Sequence, residues 1–405
     1  MTSTPVAPVV AARPERPRLY ALDGLRLLAA LAVVVYHFTA RWNPGVGGFP
    51  TETYPEIARA TVWGSMGVQV FFVISGFVIM LTAWSGDVRR FTASRLARLY
   101  PAYWASVAIN VLLLAVLWDG YQQLRGREMT LTQILLNLTM VQANMAQINV
   151  TSAYWTLWPE LVFYVLVAFA MRRRFTHNRV LALAFVWPLL AVAARSVPVL
   201  SAVLISSWAP FFAGGVALYL VHRFGHSLVR WLVVGVNAAA GLYLVVPYQG
   251  DSIPKATGEV ADGTVAAVLA LACFAVVALV TVTPLARLRW RWLTVAGVLT
   301  YPLYLVHEAV GWFLMAHVDL GRWLELGLAV AASLAVAAAL HYGVERPLAP
   351  RMRRAVLASL QEEPDEARRE TRDPAPAAEP VEGTRRSRRG VPTTRSPESV
   401  PAPAP

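Results

Sequence analysis

The sequence predicts an all-α, polytopic integral membrane protein of about ten transmembrane helices with both termini cytoplasmic. Three observations carry that prediction. Of the 405 residues, 57% are hydrophobic, where soluble domains stay near 45–50%. The apolar residues fall into runs of roughly 17 to 25, the length that crosses a bilayer as a helix. The arginines gather in every second gap between those runs.

The candidate spans lie near 22–40, 63–83, 99–118, 152–171, 179–196, 201–220, 230–247, 263–283, 293–316 and 321–343. Pro188, Pro210 and Pro302 fall inside spans, which membrane helices tolerate. One alternate set of loops, from Arg13 to Arg354, holds twenty Arg or Lys residues, and the other holds only seven. The positive-inside rule assigns the richer set to the cytoplasm, and an even number of spans agrees with both termini lying there. Residues 1–18 are Pro-rich with no apolar core of a signal peptide, so the first helix reads as an uncleaved anchor. They are expected to be a disordered cytoplasmic arm, 19–354 the membrane domain, and 355–405, rich in Pro, Glu, Arg, Ser and Thr, a disordered cytoplasmic tail. The net charge of +12 is spread over short interfacial clusters, which speaks for membrane orientation and against nucleic acid. The single cysteine, Cys273, excludes internal disulfides and cysteine metal cages.

Function is sought in the polar residues that the membrane must tolerate. Arg26 and His37 in "LDGLRLLAALAVVVYHFTARW" are eleven positions apart. At about 100° per residue they share a helix face, roughly 16 Å apart along the axis. That is too far for a salt bridge, but a long ligand lying on that face touches both. Taken singly, Arg26 reads equally as an interfacial anchor, and a packing hydrogen bond is the lesser reading of His37. In "SMGVQVFFVISGFVIML", Gln69, Ser75 and Gly76 interrupt the apolar run, and helix packing is the first explanation of the small residues. Arg95 and Arg98 in "RRFTASRLARLYPAYW" lie three apart on one helix face; they read either as anchors or as a phosphate clamp.

Glu160 in "SAYWTLWPELVFY" is expected in the outer half at a depth like that of His37, where it either orients an imidazole or bonds a neighbouring helix. His307 and Glu308 in "LTYPLYLVHEAV" point about 100° apart, so they are not expected to face one cavity together; His307 shares a face with Tyr304. Glu345, near the cytoplasmic end of the last span, is placed to pair with Arg95 or Arg98. No HExxH or comparable spacing occurs, and no metal is expected. Arginines at one mouth and His37, Glu160 and His307 in the opposite half suit a ligand with a phosphate head and a long thin arm, the shape of a coenzyme A thioester.

These residues also carry a family resemblance. Arg26, ten residues and His37; "FFVISGF" at Phe71–Phe77; Arg95, Arg98 and Pro101; "WTLWPELVFY"; "LTYPLYLVH"; and "ERP" at Glu345–Pro347 occur in order. Together they resemble the membrane acyltransferase-3 family of bacterial O-acyltransferases, over about Tyr20 to Pro350, with Thr156 and Thr300 standing where the family has Ser. The resemblance implies transfer of an acyl group, usually acetyl, from a cytoplasmic CoA thioester to a hydroxyl. It implies His37 as general base, Arg26 holding donor or acceptor, and Glu160 orienting or relaying. Arg95, Arg98, Ser75, Tyr304, His307 and Glu345 are the expected substrate contacts, with Tyr304, His307 or a backbone N–H stabilising the oxyanion. No cofactor is expected to be permanently bound. The acceptor is expected to be an envelope glycan, a lipid-linked sugar or a small glycosylated molecule, and the other partner membrane lipid. The rival reading from another class is a secondary transporter of a small polar or anionic solute, which would also show broken helices and buried charges.

Overall fold

A computed structural model describes residues 19–84, 86–118, 129–145 and 147–370. Ten of the described helices are long and apolar enough to cross a membrane. They are α1 (Tyr20–Thr39), α2 (Pro55–Ala83), α3 (Val88–Val116), α4 (Ser152–Met171), α5 (His177–Ser196), α6 (Pro198–Phe224), α7 (Leu228–Thr257), α8 (Gly263–Val282), α9 (Leu293–His317) and α10 (Arg322–Gln361). All ten predicted spans are present. Several are longer than their apolar runs, α3 and α7 among them. The basic start of α3 is helical because Asp87 caps it, accepting from the N–H groups of Arg89 and Arg90. The polar stretch that ends α7 continues the helix until Gly258 adopts a left-handed conformation.

The boundary expected at residue 354 falls within a helix. A continuous helix runs over Arg346–Glu370, because its Arg, Ala, Leu, Gln and Glu residues are strong helix formers. Residues 1–18 and 371–405 lie outside the described residues.

Packing is organised around two buried helices. In α9, seventeen residues from Leu293 to Met315 are buried; α1, α3 and α10 surround it. The second is α6, buried from Ala209 to Val221 and contacted by α2, α5, α7 and α8. The α2–α6 contact depends on glycine. A Cβ on Gly76 would meet the Phe212 carbonyl oxygen at 2.0 Å, and one on Gly215 would meet that of Val73 at 2.0 Å. Gly76 therefore brings two backbones together, the packing role expected of small residues in a span. Its neighbour Ser75 is turned to the candidate site.

The ends of α1 and α10 meet at one face, which also gathers Arg26, Arg95, Arg98, Arg353 and Arg354 around a cavity of about 780 Å³. At the opposite face the loop after α1 is tied to the end of α7: Trp42 N–H donates to Ala256 O at 2.7 Å. His37 faces inward near that second face.

Candidate active site

The basic face opens the site. Arg26, Arg95 and Arg98, together with Val78, line both the 780 Å³ cavity and a narrower one of about 120 Å³ deeper in the bundle. The deeper cavity reaches Ser75, Glu160, Tyr164, Thr156, Phe71 and Tyr304. Arginine chemistry fits a polyanion here. Among the described residues the Arg26 side chain makes no hydrogen bond or ion pair, although Arg98, Asp23 and Glu160 act on it electrostatically. Arg95 is held by the Phe91 and Tyr164 rings and by a 3.4 Å bond to Thr82 Oγ1, with its Nε buried and unpaired. Arg98 pairs with Glu345 at 3.0 Å, and His341 takes the other carboxylate oxygen at 2.8 Å. The pairing expected of Glu345 is thus with Arg98. A π-turn over His341–Glu345 brings both side chains inward. Arg353 and Arg354 were not among the expected site residues; they lie beyond the last apolar run and carry no motif.

Glu160 departs from expectation. It sits in this inner cavity, accepting from Tyr164 Oη and from Ser75 Oγ at 3.4 Å, with no contact to His37. Its position in the first turn of an α-helix preceded by a 3₁₀ turn (Ser152–Thr156) rotates it towards Ser75 and Arg26. Above it, Tyr304 closes the cavity: its hydroxyl donates to Ala153 O at 2.9 Å and accepts from Thr156 Oγ1 at 2.9 Å. The hydroxyl of Thr156 thus has a structural use.

Beyond Tyr304 lies a buried triad. His37 Nε2 is 2.9 Å from Glu308 Oε1, and His37 Nδ1 is 3.1 Å from His307 Nε2. Glu308 also accepts from Ser152 N–H at 2.6 Å and from Ser152 Oγ. His37 is 6% exposed, Glu308 1% and His307 0%, so all three are buried. His307 and Glu308, not expected to face one cavity together, both reach His37. They are 100° apart on α9, but His37 projects between them and each takes a different ring nitrogen. Glu308 supplies the carboxylate partner that had been looked for in Glu160.

Hydrogen-bond accounting fixes the protons. His307 Nδ1 faces only carbonyl oxygens, Tyr304 O at 2.9 Å and Leu303 O at 3.2 Å, so it carries a hydrogen. In the neutral ring, Nε2 of His307 is then an acceptor, and His37 Nδ1–H is the donor, shared with Val33 O at 2.8 Å. The basic position of His37 is left at Nε2, where one proton is divided between the imidazole and Glu308. The same accounting removes His307 from the candidate oxyanion donors. Tyr304 is also engaged. Arg41 is the cation close enough to act on both Glu308 and Tyr304; it lies just past the span, with nothing in its sequence neighbourhood to single it out.

Donor atoms of His37, His307 and Glu308 lie within 4.8 Å of one another, a spacing that a divalent ion could use. The hydrogen bonds above account for the same contacts without one.

A family model described as an acyltransferase domain matches residues 19–342. The chain belongs to the acyltransferase-3 family. Among its relatives are the peptidoglycan O-acetyltransferase OatA of Listeria monocytogenes, 32% identical over 25% of this chain and 14% of that protein. The acyltransferase MdmB of Streptomyces mycarofaciens is 28% identical over 38% of this chain and 39% of its own length. The O-acetyltransferase OatA of Staphylococcus aureus is 34% identical over 20% and 12%. The chain thus spans well under half the length of these relatives. No solved structure matches it.

Proposed function

We propose that this protein is a membrane O-acyltransferase that moves an acyl group, in the first place acetyl, from a cytoplasmic CoA thioester to a hydroxyl presented at His37. The acceptor is a glycan or a glycosylated small molecule. The observation that carries this reading is the line of groups along the bundle. Five arginines surround the mouth, the Arg26 guanidinium is unpaired among the described residues, and a slim cavity leads from them to Tyr304. The His37–Glu308 pair lies on the far side of Tyr304. The distance between Arg26 and His37, roughly 16 Å along α1, suits an extended pantetheine arm between a phosphate head and its thioester.

In this mechanism the acceptor hydroxyl displaces Glu308 from His37 Nε2, and the proton that the pair shares at rest is released with that contact, so that the ring enters the step neutral and Glu308 ionised. The hydroxyl's O–H bond breaks as its oxygen attacks the thioester carbonyl, with the proton passing to His37 and the charge of the imidazolium balanced by Glu308. Arg41, whose charge acts on both Glu308 and Tyr304, is the cation assigned to the oxyanion that develops. Collapse breaks the C–S bond, and the imidazolium returns its proton to the CoA thiolate. Ser152 holds Glu308, and His307 holds the ring of His37 in the tautomer that keeps Nε2 basic. The positive-inside rule supports the arginine mouth as the cytoplasmic side, so the acceptor would enter from the outside.

The test is release of CoA thiol from acetyl-CoA by purified protein with an oligosaccharide acceptor, with acetyl ester detected on the sugar by mass spectrometry. Transfer abolished in His37→Ala, with acetyl-CoA still bound, is the expected result. Failure of folded wild-type protein to bind or cleave acetyl-CoA and longer acyl-CoAs would overturn the donor assignment.

A further inference from the structure

A second cavity at the His37 end of the bundle is not accounted for by the proton chemistry. It has a volume of about 510 Å³ and lies among the ends of α5, α6 and α7, within the range of small-molecule sites. It lies towards the face of His37 because the end of α7 packs there. Ile253 clusters with Tyr36, Ala40 and Val62, and Thr51 Oγ1 donates to Thr257 O at 3.4 Å.

The lining has a definite chemistry. Tyr248, 40% exposed, stands edge-on to Trp208 at 5.0 Å and 84°. Trp208 is in turn braced by Trp155 at 5.1 Å and Phe72 at 5.6 Å. Around the rings stand Asp251, Ser252, Lys255 and Arg195. Asp251, Ser252 and Lys255 make no side-chain hydrogen bond or ion pair among the described residues. An acceptor-only group, a donor-only group and a hydroxyl are therefore all free beside an aromatic wall.

The backbone that presents the wall is strained. Ile205, a β-branched residue, is held in the left-handed region at φ 48° and ψ 50°, a conformation such residues avoid. Its carbonyl accepts from Trp208 N–H at 2.8 Å and from Ala209 N–H at 2.9 Å. The turn thus fixes Trp208 where the cavity needs it, and strain of this kind concentrates at functional sites.

We propose that this pocket holds a pyranose ring of the acceptor other than the one being acylated. A pyranose offers an apolar C–H face for the aromatic wall and a rim of hydroxyls that both donate and accept, which matches the free groups. The proposal rests on the acyltransferase reading for its role, while the binding itself can be measured separately. The pocket then makes the enzyme prefer oligosaccharides or glycosides over single sugars.

The probe is chitotetraose, with binding followed by saturation-transfer NMR on the purified protein and transfer followed with acetyl-CoA. Tyr248→Ala and Asp251→Asn both alter exposed side chains, and melting temperature checks their fold. The expected result is at least tenfold weaker chitotetraose binding in each variant. In transfer, KM for chitotetraose rises by a similar factor while kcat and KM for acetyl-CoA stay within twofold. Absence of chitotetraose binding to wild type, or equal binding by the variants, overturns the proposal. Weakened binding in the variants without any acetyl transfer by wild type would leave the sugar pocket standing and remove its role as an acceptor site.

Discussion

Replacing Glu308 by Gln isolates the proton accounting at His37. The change preserves volume and removes one charge. Glu308 Oε2 accepts from Ser152 N–H at 2.6 Å, and this main-chain donor cannot reverse. The amide oxygen must therefore face Ser152 N–H, which turns the amide NH₂ towards His37 Nε2, 2.9 Å from the present Oε1. The NH₂ then donates to Nε2 and occupies the lone pair needed to receive the hydroxyl proton, and the charge that would balance an imidazolium is gone. The opposite amide orientation sets two buried donors against each other, at a cost of about 1–3 kcal/mol. Loss of the base and of its counter-charge should lower kcat by about 10²–10⁴, or about 3–5 kcal/mol of barrier. Thiol release from acetyl-CoA measures kcat, and thermal stabilisation by acetyl-CoA measures donor binding, which should be retained because Glu308 is across Tyr304 from the arginine cavity. A folded Glu308→Gln enzyme with kcat within threefold of wild type would refute the assignment of Nε2 as the basic atom.

Other consequences are equally direct. Gly76→Ala puts a methyl 2.0 Å from the Phe212 carbonyl oxygen, forcing α2 and α6 apart at a cost of about 2 kcal/mol or more; a clear fall in melting temperature is expected, and an unchanged value would contradict the close contact. Tyr304→Phe removes a hydroxyl bonded to Ala153 O and Thr156, so it should cost about 1–2 kcal/mol of stability with kcat reduced less than tenfold; a thousandfold loss of kcat would mark Tyr304 as the oxyanion donor instead of Arg41. The double change Arg353→Ala and Arg354→Ala should raise KM for acetyl-CoA at least fivefold with kcat kept, read in the same thiol assay. No change in KM would separate these two residues from the donor mouth.

Much of this architecture is legible in the sequence because a bilayer imposes simple rules. Apolar length gives the ten spans, and helical periodicity places Arg26 and His37 on one side of α1. Arg98 and Glu345 could be paired because both lie at the same depth. What the sequence hides is reciprocal geometry. Reading His307 and Glu308 as diverging takes α9 alone, whereas His37 enters between them from α1 and uses both of its ring nitrogens. Glu160 was matched to His37 by depth, but the 3₁₀ turn before it sets its direction, and no periodicity rule reports that rotation. Ser152, Arg41, Arg353 and Arg354 carry no motif, and their roles emerge only when helices distant in sequence are packed together.

The most direct test of the account is acetyl-CoA binding measured as a thermal shift on wild type, Arg26→Ala and His37→Ala, paired with turnover. The account predicts stabilisation of wild type and of His37→Ala, no stabilisation of Arg26→Ala, and turnover in wild type alone. Stabilisation that survives in Arg26→Ala but is lost in His37→Ala would place the donor at the wrong end of the bundle and contradict the account.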